Sequence, residues 1–548
     1  MSNPEVAIPR ATDVKTRIIK PGFWWRFPTY FVAALVILPL SVIVLSWLTP
    51  EPEIWAHLLD TQLARLLKNT AVLMVGVGVV VAVIGVALAW LVAACEFPGR
   101  KWLDWGLMLP LAIPPYVLAF VFLGLLDYAG PINTWLRETV GLARGIGDVR
   151  TAPGVIVVMS LVLYPYVYML ARSAFVGQGR ELMDAARSLG ASPARAFFKV
   201  ALPMARPAIA AGMALALMET LADFGAVSVF NFDTFTTAIY KSWFGFFSLP
   251  AAAQLASLLL LFVLLGVWAE QQARSRGRNQ SRRAQYDRYR LTGVKAFAAT
   301  GFCALIFLIA FAIPIGQLVV WTLGHLNDID SRYWGFVKNS LVLAVLAAVT
   351  SVFLALLVGY GRRQSPVNGL SFWMRIASLG YALPGSVLAV GILLVFTLLE
   401  NNLLAPVKNW LGLNQILVGS LAALILAYVI RFFSVAVGPV QSSLDMIRPS
   451  YQEVAQTLGV GKFQILRQVY LPLLRPGLLT AALLVLVDTL KEMPATLILR
   501  PFGWDTLAVR VFEMTAEGQW QRAALPAVTL VLVSIIPVVM MIRRSNRD

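Results

Sequence analysis

Two pairs of acids stand inside apolar sequence at matching places. Glu219 and Asp223 fall in the run 207–229, and Asp488 and Glu492 in the run 476–498, each acid recurring 269 residues on. A separation of four residues puts both members of a pair on one face of a helix. Ionisable groups are costly within hydrocarbon and usually face a bundle interior or an aqueous path. Four carboxylates around a two-fold axis would suit a hard, oxygen-seeking cation, and would suit an organic cation equally. Lys491 offers a competing use, since it follows Asp488 by three residues and could pair with it, whereas its counterpart Ala222 is uncharged. The acids could also brace the backbone beside Gly225 or Pro494.

The elements that carry these acids are membrane spans. The chain has 548 residues, 59% of them hydrophobic and only 13% charged, against about 25% charged in ordinary soluble domains. Apolar runs of roughly 20 residues, enough to cross about 30 Å of hydrocarbon, recur twelve times: 28–48, 71–94, 105–126, 154–175, 207–229, 250–269, 296–322, 340–360, 373–399, 415–439, 476–498 and 523–542. The expected fold is an all-α membrane protein. Residues 1–26 are polar and basic with no small-residue cleavage site after the first run, so that run is expected to be a retained anchor. Cys95 and Cys303 are too few for a disulfide framework.

A net charge of +17 raises the question of nucleic acid, but its distribution answers differently. With the N-terminus inside, the inner segments hold 32 Lys and Arg, including five in 431–475, and the outer segments 12. That is the positive-inside bias, so both termini are expected in the cytoplasm and the charge is topological.

The twelve spans divide in two. The basic run 271–295 separates residues 28–270 from residues 296–542, with 1–27 and 543–548 as cytoplasmic ends, and is expected to stay solvated or touch anionic headgroups. Lys68-Asn69-Thr70 matches Lys338-Asn339-Ser340, and Ile113-Pro114-Pro115 matches Leu383-Pro384-Gly385, both at an offset of 270. Six spans per half is an even number, so the halves run parallel, with any pathway between them. Each half also holds a polar island between its fourth and fifth spans, at 181–206 and 450–475. The islands read DAARSLGASPARAFFKVALP and EVAQTLGVGKFQILRQVYLP. Each begins as a short amphipathic helix stopped by Gly. In the first, Ser192-Pro193 then opens a second helical segment; in the second, Gly459 and Gly461 make the break. Such a compact knob fits a groove on a partner.

In these islands the chain resembles importer-type ABC permeases, whose coupling motif runs EAA, three residues, G, nine residues, I-x-L-P. The matching residues are Asp184, Ala185, Ala186, Gly190, Val200, Leu202 and Pro203, then Glu453, Val454, Ala455, Gly459, Val469, Leu471 and Pro472. Asp for Glu, Val for the middle Ala of the second copy and Val for Ile are mild departures at intact spacing. The resemblance implies a type I importer permease fold in a bacterial inner membrane, with each island seated on one of two ATPase subunits. It also implies a periplasmic binding protein that delivers substrate. The segments 219–240 and 491–514 are similar to those of ferric-iron uptake permeases, with fused thiamine permeases as the alternative.

No ATPase is expected in the chain itself, and no bound cofactor; ATP and Mg would be used by the partner. Gly459-Val460-Gly461-Lys462-Phe463 lacks the Ser or Thr of a P-loop and has Gln456 where its first Gly should stand. HExxH, GxSxG and His/Cys clusters are absent from the sequence, which argues against a membrane enzyme. A secondary transporter would share the twelve spans but has no use for duplicated islands. His57 and His325, in matching outer segments, are read as loop residues, and Tyr164, Tyr166 and Tyr168 beside Pro165 as packing aromatics.

Overall fold

A computed structural model describes residues 23–49, 51–141, 147–178, 181–275, 288–364, 369–412 and 415–545. Its twelve principal helices are α1 Phe27–Leu45, α2 Leu63–Ala94, α3 Pro115–Leu126, α4 Ala152–Gln178, α5 Leu202–Ala222, α6 Leu249–Ser275, α7 Val294–Phe307, α8 Ser331–Gln364, α9 Gly385–Asn402, α10 Leu421–Met446, α11 Leu471–Lys491 and α12 Trp520–Ser545. A π turn, Leu308–Ala312, carries α7 on into Ile313–Leu323. Eleven spans among the described residues are long and apolar enough to cross a bilayer, and Trp520–Ile535 is a shorter apolar stretch at the start of α12. Among the described residues the protein is all-α, save for one two-residue strand pair.

Four expected spans are interrupted rather than continuous. The runs 105–126 and 373–399 break at Ile113-Pro114 and Leu383-Pro384, where both residues are extended, so the helices begin at Pro115 and Gly385. A proline pushes the residue before it out of the helical region and removes a donor. The runs 207–229 and 476–498 break at Asp223 and Glu492 and resume as the short helices Gly225–Val229 and Pro494–Leu499.

The sequence repeat is not the packing unit. α1 leaves its own half and lies on Leu370–Ala377 and α9 of the second, where Tyr30 meets Trp373 edge-on at 5.6 Å. Reciprocally, the α7 span packs between α12 of its own half and the first half, where Trp321 stacks on Phe120 of α3 at 6.5 Å. The two halves are thereby strapped together by first spans that reach across. Within the first half, α2, α4 and α5 approach closely through small residues: a Cβ on Gly85 would stand 2.7 Å from Val167, and one on Gly212 2.8 Å from the Tyr166 carbonyl oxygen. Without a hydrophobic force between helices in lipid, such close backbone approach supplies the packing.

The basic linker differs from expectation at both ends. Helix α6 continues to Ser275, residues 276–287 lie outside the described residues, and Tyr289–Arg290 pairs as a parallel strand with Cys95–Glu96. Its C-terminal end is bonded through its backbone to the root of α2, because a short extended segment can pair its backbone groups there, while Arg290 and Lys295 stay exposed. Cys95 and Cys303 are buried and free.

Candidate functional site

Each half contributes two chain breaks, and the four breaks face one another. Asp223 (φ −68°, ψ 130°) ends α5, and its Oδ1 accepts from the Val227 amide at 3.1 Å, capping Gly225–Val229. Glu492 (φ −72°, ψ 104°) ends α11 in the same way, its Oε1 accepting from the Ala495 amide at 3.1 Å to cap Pro494–Leu499. Threonines secure the freed carbonyls: Thr236 donates to Asp223 O at 2.7 Å and Thr496 to Glu492 O at 2.5 Å. Opposite stand the 3₁₀ turns Leu109–Ala112 and Ser378–Ala382, each leading into an extended Xaa-Pro.

These breaks correct the helix-face expectation for the acids. Glu219 and Asp488 lie on α5 and α11, but Asp223 and Glu492 lie just beyond the helix ends, turned toward short helices that need an N-terminal acceptor. All four acids nevertheless line one cavity of about 120 Å³ between the halves, together with Tyr116, Tyr166, Tyr381, Arg431 and Lys491. No group of three or more His, Cys, Asp or Glu among the described residues is set to hold a metal ion. With two of the four carboxylates engaged as caps, the acids do not converge as one ligand set.

Two hydrogen bonds cross the interface at positions the repeat relates. Tyr381, in the second-half turn, donates to Glu219 Oε1 of the first half at 2.8 Å. Lys491 Nζ, from the second half, donates at 2.6 Å to the carbonyl of Leu111, which occupies the place of Tyr381 at an offset of 270. Lys491 thus directs one of its three N–H donors to the opposite half, and no ion pair joins it to Asp488 within 4.0 Å among the described residues. Both cations come from the second half; the first-half positions matching Arg431 and Lys491 are Val162 and Ala222, which line the same cavity.

Arg431 is the residue that sequence reasoning missed most completely. The sequence places it both in the apolar run 415–439 and among the inner charges of 431–475; it lies within α10, its side chain 9% exposed. Its Nε stands 3.2 Å from Glu492 Oε2, and Nη1 donates to Leu383 O at 3.2 Å. The Nε–H is not aimed along an acceptor direction, so the contact with Glu492 is coulombic more than a directed hydrogen bond. An arginine inside AYVIRFF was a legible signal, since a lone charge in an apolar run marks a functional or paired position.

The turn that presents Tyr381 has no room for a side chain at its neighbour. A Cβ on Gly380 would fall 1.9 Å from the Ile430 carbonyl oxygen, a backbone atom that cannot move aside. Gly380→Ala is expected to cost about 1–3 kcal/mol or more by overpacking and to part Tyr381 from Glu219. Thermal unfolding of the purified protein checks this, with Gly438→Ala on α10, where nothing lies within 4 Å, as a control expected to melt like the parent.

The remaining candidates fall elsewhere. Tyr164 and Tyr168 donate to the backbone at Leu107 O and Asp104 O, both at 2.9 Å, and only Tyr166 of the three faces the cavity. His57 stacks edge-on to Phe246 at 6.0 Å, and His325 Nδ1 bonds Trp321 O at 3.0 Å. The islands form helix–turn–helix knobs. Helix Glu181–Ser188 carries Asp184, Ala185 and Ala186, ends at Gly190 (φ +85°), and Ser192 caps Pro193–Ala196 by accepting from Arg195 N at 3.3 Å. Helix Pro449–Thr457 carries Glu453, Val454 and Ala455 and ends at Gly459 (φ +76°). Positive φ suits glycine because it has no Cβ to clash. In both copies a π turn leads to the Leu-Pro that opens the next span, Leu202-Pro203 and Leu471-Pro472. Leu189 and Leu458, at the knob tips, are 88% and 76% exposed.

Among the described residues, a helical bundle of two parallel, strapped halves with a charged cavity between them fits a membrane transport protein. The chain belongs to the binding-protein-dependent transport system inner membrane component family, whose model matches residues 85–278 and again residues 351–544. It is an ABC importer permease of the inner membrane. The Fe(3+)-transport system permease protein FbpB 2 of Haemophilus influenzae is 28% identical over 536 residues, covering 95% of this chain and 98% of that one. The sulfate transport system permease protein CysT of Escherichia coli is 30% identical over 264 residues, 46% of this chain and 92% of its own. The molybdenum transport system permease protein ModB of Escherichia coli is 30% identical over 202 residues, 35% of this chain and 86% of its own.

Proposed function

We propose that this permease passes ferric iron from a periplasmic binding protein into the cytoplasm, driven by two separate ATPase subunits seated on the islands 181–206 and 450–475. The observation that carries the cargo is the end-to-end similarity to a Fe(3+)-transport permease across both halves. The relatives named for sulfate and molybdenum match about half of the chain or less. The cavity chemistry agrees in sign: four carboxylates against two cations favour a positively charged passenger over an oxyanion. Both termini and both knobs lie on the cytoplasmic side in this reading, as the charge bias requires. Asp184, Ala185, Ala186, Gly190, Leu202 and Pro203, with Glu453, Val454, Ala455, Gly459, Leu471 and Pro472, then form the two sockets. ATP binding at both would move the halves against each other and open the cavity alternately to either side.

The test is reconstitution in proteoliposomes with candidate ATPases and binding proteins. Ferric-loaded binding protein is expected to raise ATP hydrolysis several-fold over the empty form. Stimulation by thiamine-loaded or sulfate-loaded binding protein, with none from the ferric form, would replace iron as the cargo. Uptake that persists without any ATPase would point instead to a secondary transporter.

A further inference from the structure

The cavity wall holds a phenol with nothing to bond. Tyr116, one residue into α3, is 4% exposed, and its hydroxyl has no hydrogen-bond partner. Leaving a buried hydroxyl unsatisfied is costly, so its presence asks for a use. The residue cannot shift easily. A Cβ on Gly225 would stand 2.7 Å from the Tyr116 Cβ and 2.8 Å from Met493 Cε, so Tyr116 is held in the crease between the two halves. Two further phenols share the wall, Tyr166 from α4 and Tyr381, whose hydroxyl is 2.8 Å from Glu219. Asp223 and Glu492 are occupied as helix caps, and Glu492 also faces Arg431. Oxygen donors in the cavity outside those capping roles are therefore two carboxylates and three phenols.

The geometry points to a hard-cation site between the halves, built from the Glu219 and Asp488 carboxylates and the phenol oxygens of Tyr116, Tyr166 and Tyr381. It deepens the reading above, on which it rests, by assigning the passenger oxygen ligands from both halves: Glu219, Tyr116 and Tyr166 from the first, Asp488 and Tyr381 from the second. Carboxylate and phenol oxygens suit a small, highly charged metal ion over a soft one. A phenol that binds such an ion gives its proton to water, so each metal–phenolate contact releases one proton. The neutral phenols add no standing negative charge to a cavity already rich in acids. Passage requires binding strong enough to admit the ion and weak enough to release it. Lys491 and Arg431 meet the second need, since both place positive charge on the same wall. Tyr381 must leave Glu219 for the ion to enter, which links occupancy to the contact between the halves.

Terbium(III), a hard trivalent ion made luminescent by nearby tyrosines, tests the site in the purified permease–ATPase complex. Tyr116→Phe keeps the ring and removes only the oxygen; Tyr166→Phe does the same from a different helix. Each is expected to weaken the terbium titration midpoint on the order of tenfold, while Tyr164→Phe, whose hydroxyl bonds Leu107 O away from the cavity, leaves it unchanged. Midpoints equal to wild type in both variants would overturn the site, as would an equal weakening in Tyr164→Phe. The cargo reading fails separately: it falls if ferric-loaded binding protein leaves wild-type hydrolysis unchanged, whatever terbium does.

Discussion

Arg431→Met is expected to destabilise the bundle by about 3–5 kcal/mol, the cost of leaving a buried partner charge uncompensated. Glu492 is 5% exposed on its side chain and has Arg431 as its ion-pair partner at 3.2 Å. The loss spreads beyond the pair. Glu492 caps Pro494–Leu499, and Arg431 also ties the Leu383 carbonyl just before Pro384, so two of the four chain breaks around the cavity lose their anchor together. Thermal unfolding in detergent, read by tryptophan fluorescence, measures the effect. Adding Glu492→Gln to Arg431→Met removes the orphaned charge while keeping an acceptor for Ala495, and is expected to recover most of the loss. A single variant as stable as wild type would show that the pair contributes nothing to the architecture. A double variant no better than the single would place the damage in lost packing rather than in charge.

Replacing Glu219 and Asp488 with their amides should depress transport most of all. These are the carboxylates outside the capping roles, one from each half. A unit charge at contact distance from a cation contributes about 4 kcal/mol in a protein-like dielectric. Losing part of that at each position is on the order of tenfold in rate for each single variant, and on the order of a hundredfold for Glu219→Gln with Asp488→Asn together. The amides keep size and hydrogen bonding, so Tyr381 can still donate to position 219. Metal accumulation in cells at matched membrane levels is the measurement. Unchanged accumulation in the double variant would remove these acids from the pathway. The asymmetry adds a second check: Asp488 shares its helix with Lys491 and Glu219 has no such neighbour, so Glu219→Gln is expected to be the more damaging single change.

The same two pairs show how unevenly the site was legible. Their recurrence at an offset of 269 announced that they mattered as a set. Reading them at helical spacing then misplaced two of the four, because Asp223 and Glu492 end their helices instead of continuing them. Pro494 and Gly225 marked those ends in advance, and the notion that an acid braces the backbone there matches the observed caps. Tyr381 and Leu111 were invisible as a pair, since one acts through a side chain and the other through a carbonyl. Nothing in either residue type predicts that the repeat would use them alike.

What the sequence determined by itself was whatever acts over a few residues: span length from apolar runs, breaks from Xaa-Pro, knobs from Gly and Ser at their stops, and two parallel halves from the offset. Tertiary structure alone decided that α1 and α7 reach across to the opposite halves, that Arg431 meets Glu492 and the Leu383 carbonyl, and that Tyr116 lines the cavity between the halves. Span formation depends on local burial and backbone hydrogen bonding, which the bilayer enforces on each segment separately. The choice of partner for each span depends on small residues and shapes matched across hundreds of positions, and no local pattern carries that information.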